Sequence, residues 1–163
     1  MAFTDYTSPD EVRAVLGISA KEVSDDKIAT TVNLTTLLEA LYKLAPTLQA
    51  DFATAYAAAP RSAAQARFVL LVETFCAYTV AVAMIPGLPL NAPQIITDGK
   101  TAMNRVANPF EALLPALHAS LGYFKINLMT AYTAVNSAIP VVAAKARVIV
   151  LGIATSIDPV TGA

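Results

Sequence analysis

The chain has 163 residues, a length that fits one domain. Hydrophobic residues make up 56% of it and charged ones only 14%, more apolar surface than a monomer of this size ordinarily buries, so self-association or a membrane has to be considered. Eleven basic residues against twelve acidic ones leave a net charge of −1, which excludes a dedicated high-affinity nucleic-acid binder but not a wall along which DNA slides.

The amino terminus, MAFTDYTSPDE, lacks the basic region and apolar run of a signal peptide, so we expect a reducing cytoplasm or a particle assembled there. Ser8, Pro9 and Glu11 then spell an N-cap, a first-turn proline and a capping box. With Val12, Val15 and Leu16 on its apolar side and Gly17 as a left-handed stop, they predict a short helix over Pro9–Leu16. A second start falls at Ser24, where Asp25 and Asp26 complement the helix dipole. Ile28, Val32, Leu34, Leu37, Leu38, Leu41 and Leu44 recur at helical spacing from there to Pro46, across a threonine-rich patch.

Residues 47–59 predict another helix, with Leu48, Phe52 and Tyr56 four apart on one stripe and Pro60 closing it. Ser62 caps a helix over residues 63–84 that is apolar nearly all round and therefore central. Residues 68–90 superficially resemble a membrane span. Glu73 near the middle costs a few kcal/mol in a bilayer unless paired, and Pro86-Gly87 break the run short of the roughly 20 residues required. A core helix explains the same hydrophobicity, with Cys76 as a buried small hydrophobe and Glu73 paired to an arginine such as Arg67 or Arg105.

PGLPLNAP, residues 86–93, is a loop, and Thr97 or Asp98 caps a helix running to about Val106. Asn108, Pro109 and Glu111 repeat the cap, proline and acid pattern. Phe110, Leu114, Leu117, Leu121, Phe124, Leu128, Ala131 and Val135 then alternate steps of four and three, the heptad of a long packed helix. Pro115 predicts either a kink or a fresh start with the proline in the first turn.

From residue 139 to the end the pattern changes. Val141, Val142, Val148, Ile149, Val150 and Ile153 are β-branched, and nothing upstream reads as a partner strand. A lone strand leaves its edge groups unpaired, so a helical body with such an arm completes itself on another chain. Lys145 and Arg147 interrupt the run and argue against a membrane span. The sequence therefore predicts a mainly α fold: a bundle of five or six helices over residues 1–138, with an extended β-type arm over 139–163.

Catalytic chemistry is hard to find. His118 is the only histidine, and with one cysteine at Cys76 neither a metal site nor a nucleophilic triad has its members. Glu39, Asp51, Glu73, Asp98, Glu111 and Asp158 are scattered rather than paired. Gly99-Lys100-Thr101 matches the end of a phosphate loop, but the upstream glycine and strand are missing. We expect no enzyme and no cofactor or metal.

Three segments carry a family resemblance: DYTSPDEVRAVLGISAKEVSDDKI, ITDGKTAMNRVANPFEALLPAL and SIDPVTG. Together they resemble the head–tail connector, or adaptor, proteins of tailed bacteriophages. Those relatives share a Thr/Ser-x-Asp-Glu-x-Arg-x-x-Leu-Gly start, matched here from Thr7 to Gly17, and an Asp-Gly-Lys…Arg segment, matched at Asp98, Gly99, Lys100 and Arg105. Val106 departs from the aromatic that relatives place after the arginine.

The resemblance implies a virion subunit whose copies, about twelve in the common case, form a homo-oligomeric ring below the portal protein at the neck. The ring extends the DNA channel, passes genomic DNA without sequence specificity and docks the next tail-side protein. It also implies portal or subunit contacts through the arm, at Val148, Ile149, Val150, Leu151, Ile153, Ile157, Asp158 and Pro159. Asp98, Lys100 and Arg105 read first as a capped helix with surface ion pairs, and alternatively as a subunit or DNA contact. The rival readings are another neck component, such as a β-rich stopper or tail-completion protein, and a membrane-associated helical protein.

Overall fold

A computed structural model describes residues 1–88 and 113–137. Among these residues there are six α-helices and no strands, so the chain is mainly α-helical. The expected β-type arm and the Asp98, Lys100 and Arg105 segment lie outside the described residues.

Helix α1 (Pro9–Leu16) follows a 3-10 turn at Phe3–Asp5 and has the bounds its capping signals predict. The Ser8 hydroxyl accepts from the Glu11 N–H at 3.2 Å, and the Glu11 carboxylate accepts from the Ser8 N–H at 2.8 Å. Gly17 closes the helix at φ +68°, a conformation that costs a residue with a Cβ. The buried Arg13 guanidinium joins α1 to the chain between Val23 and Asp25. It donates to Asp10 and Asp25 at 2.7 Å each and to the Val23 carbonyl at 3.0 Å.

The helix predicted from Ser24 to Pro46 is two helices, α2 (Asp25–Ile28) and α3 (Thr31–Leu44). The chain leaves helical geometry at Ala29, and Thr30 re-caps it by accepting from the Asn33 N–H at 3.1 Å. Asn33 is buried here and donates to the Ile28 carbonyl at 2.7 Å, satisfying an acceptor that the break would leave bare. The break resets the helical register. Ile28 stays fully buried, whereas Val32, four residues on, is 74% exposed.

Helix α4 (Leu48–Ala57) keeps Leu48 and Phe52 in the core, where Phe52 stacks on Tyr6 with ring centroids 5.2 Å apart. Its Gln49 side chain donates to the Leu38 carbonyl of α3 at 2.9 Å. A cis Ala59–Pro60 peptide leads to α5 (Ala63–Met84), whose bounds are again those predicted from Ser62. Ser62 and Gln65 form a capping box at its start.

Helix α5 is the axis of the body, packed against α1, α3, α4 and the last helix. Phe68, Val72, Cys76 and Val80 are fully buried along it, which is why it can be apolar on nearly every side. The segment Ala63–Gly87 is long and apolar enough to cross a membrane, with hydropathy 2.1, yet 61% of its 18-residue apolar stretch is buried inside the protein. Its burial is that of a core helix. The run ends in a 3-10 turn at Ile85–Gly87, at the Pro86-Gly87 break that the sequence predicts.

Helix α6 (Leu114–Ser137) has Pro115 in its first turn. It runs antiparallel to α5, as its ring contacts require: Tyr78 meets Phe124 at 5.0 Å, and Phe68 meets Tyr132 at 5.8 Å. The predicted heptad faces inward, with Leu117, Leu128 and Ala131 buried and Leu114, Leu121, Phe124 and Val135 packed against the core.

Candidate assembly surface

The described residues offer little on which to build a catalytic centre. His118 is exposed on α6, and no group of His, Cys, Asp or Glu side chains among them could hold a metal ion. Cys76 is fully buried, and burial pushes its thiol well above its ordinary range, so it stays an un-ionised hydrophobe. Every buried side-chain nitrogen or oxygen described has a hydrogen-bond partner, leaving no orphan group aimed at a ligand.

Glu73 is half-buried on α5, and no arginine among the described residues lies within ion-pair distance. Arg67 is exposed and makes no such pair, and Arg105 lies outside the described residues. Desolvation holds the Glu73 carboxyl above its usual range, and the charge of Glu11 on α1 adds to the effect while Arg61 opposes it. Glu11 itself is committed to the Thr7 hydroxyl and the Ser8 N–H, both of which it accepts from.

An open groove of about 410 Å³ lies where α4, the start of α5 and the end of α6 meet, lined in part by Asp51, Ser62, Gln65 and Asn136. Its polar groups are largely spent on one another. Ser62 and Gln65 cap α5, and the Asp51 carboxylate accepts from the Tyr132 hydroxyl at 2.9 Å. The groove is a seam between helices more than a recognition site.

The surface that stands out is the outer side of α6. Tyr123 is 65% exposed and Ile126 69% exposed, whereas the opposite side of the same helix is packed on α5. Between Leu114 and Ser137 the only permanently charged residue is Lys125, so this side combines exposure with near-absence of charge. Beyond its packing on α5, α6 is tied to α4 by Tyr132, whose hydroxyl meets both Asp51 and Thr47. Among the described residues, no other element packs on that outer side.

Known protein families, characterised proteins and solved structures were compared with this chain. None of them matches it.

The arm residues and the Asp98, Lys100 and Arg105 cluster, singled out from sequence, lie outside the described residues. The outer side of α6 was not anticipated. Its signal is a second series at steps of three and four, written in Ala, Tyr, Ile and Thr rather than in leucine, beside the conspicuous inward heptad.

Proposed function

We propose that the chain is a structural subunit of a tailed-bacteriophage virion, a head-to-tail adaptor whose copies close into a ring beneath the portal. In this reading each subunit buries its long helix against a neighbour and lends its carboxyl-terminal arm to another chain. The ring extends the DNA channel and docks the next neck or tail protein. The observation that carries the reading is the uncharged, exposed outer side of α6, with Tyr123 and Ile126 on it: a subunit with a face to cover. A mainly helical body agrees better with an adaptor than with a β-rich stopper. The motif resemblance supplies the virus, and the β-branched tail sequence supplies the grip.

The mechanism is one of linkage. Weak arm contacts become durable when many are tethered in one ring, because each bound arm raises the effective concentration of the rest. A near-neutral chain suits DNA transit, since strong phosphate binding would retard ejection. No reaction is assigned to the subunit.

A chain truncated after Ala138, compared with the full chain for retention on a portal ring, tests this reading. The shortened protein is expected to keep its helical circular dichroism and to wash off the portal. Retention equal to that of the full chain would sink the role given to the arm.

A further inference from the structure

We infer that the groove where α4, α5 and α6 meet is a docking cleft for residues 139–142 of the same chain. Val135 and Asn136 line the groove, and they belong to the last turn of α6, which ends at Ser137. The chain therefore leaves the described body at the rim of an open cleft of about 410 Å³. Helix α6 cannot simply run on past it. Pro140 has no N–H to give the Asn136 carbonyl, and in a continued helix its ring would strike that carbonyl. The residue before a proline is also turned away from helical geometry, which sets the expected change of direction at Ile139. Four residues span at most about 14 Å, so the segment stays within reach of the groove it starts from.

Groove and segment match in polarity. Thr54 donates to the Ala50 carbonyl at 2.9 Å, Ser62 and Gln65 cap α5, and Asp51 accepts from Tyr132. Groups already bonded lose little when an apolar segment covers them. Between them lie Ala55, Ala64 and Val135, which are apolar. The segment brings Ile139, the Pro140 ring, Val141 and Val142, with no charge before Lys145. Its backbone N–H groups have an acceptor at hand, because a carboxylate offers about four acceptor sites and Tyr132 takes one at Asp51.

Proximity decides which copy supplies the segment. A stretch tethered directly to Ser137 is held at an effective concentration on the order of mM. A copy free in solution at about 1 μM competes at a disadvantage of roughly a thousandfold, so even a contact with a Kd near 1 mM is made within one chain. Seating residues 139–142 leaves Val148 and the residues after it free for another chain. The docking is thus compatible with the adaptor reading without resting on it.

Thiol labelling of full-length variants tests the docking. Ala64→Cys and Thr54→Cys each put a reactive thiol on an exposed residue of the groove wall, while Cys76 is buried. Each is compared with the same variant carrying Val141→Asp and Val142→Asp, which the groove rejects beside Asp51. Maleimide labelling is expected to be several-fold slower without the two aspartates than with them. Ile126→Cys, on the outer side of α6, should label at one rate in both backgrounds. Cys76, unlabelled throughout, reports that the body is intact. Equal rates at both groove positions would overturn the proposal, and so would the same slowing at Ile126→Cys. Slowing that vanishes on about hundredfold dilution would overturn it too, by giving the groove to another copy's arm. A chain that ignores the portal leaves these rates untouched, so the two readings fail separately.

Discussion

The Tyr132 hydroxyl of α6 donates to the Asp51 carboxylate of α4 across 2.9 Å and is itself met by the Thr47 hydroxyl at 2.6 Å. Because Tyr132 spends its proton on Asp51, Thr47 must be the donor in the second bond. This three-group cluster fastens the far end of α6 to a helix other than α5. Tyr132→Phe keeps the ring against Phe68 but removes the bonds. The expected cost is about 1 kcal/mol in urea unfolding, with faster amide exchange confined to the last turns of α6.

Gly17 offers a cleaner backbone test. Its φ of +68° is left-handed, and a Cβ built there meets no atom within 4 Å. Gly17→Ala should therefore cost about 1 kcal/mol from backbone strain alone, and Gly17→Asn less, because asparagine tolerates that conformation. Equal melting temperatures for all three proteins would show that the turn relaxes.

The helices whose bounds were legible in the sequence, α1 and α5, are those marked by a serine cap with an acidic or amide partner three residues on. Such signals are local and survive whatever packs around them. The boundary between α2 and α3 was hidden because Thr30 sits among other threonines and the apolar spacing from Ile28 to Val32 looks unbroken. Only the bond from Asn33 to the Ile28 carbonyl, a contact between a side chain and a backbone group across the break, reveals why the chain re-caps there. The inner seam of α6 was legible because leucine announces burial. Its outer series was not, since alanine and threonine are read as neutral until their exposure is known.

Arg13 was likewise invisible as a hub, although Asp10 three residues before it is an ordinary helical pair. Its reach to Asp25 and to the Val23 carbonyl depends on the turn after Gly17 bringing α2 back onto α1. Arg13→Ala should lower the melting temperature by several degrees and expose the segment between α1 and α2 to proteolysis. Arg13→Lys should recover only part of the loss, because a single ammonium cannot reproduce the planar fork.

Glu73 gives a pH dependence with a definite sign. Its folded pKa lies above the unfolded value near 4.5, so the charge it carries at neutral pH works against the fold. That penalty shrinks as pH falls through the folded value and is gone below the unfolded one. Glu73→Gln should thus be more stable than the parent at pH 7, by no more than about 0.5 kcal/mol because the group still reaches solvent. The two proteins should converge in stability near pH 4. A variant less stable than its parent at pH 7 would mean that the carboxylate has a partner that matters.

The most direct test of the adaptor reading is the mass of the full chain measured by native mass spectrometry, alone and after mixing with a portal ring. Monomers are predicted for the free chain, and a multi-copy ring, in register with the portal, once the portal is present. A chain whose mass is unchanged by portal at any ratio would contradict the adaptor role.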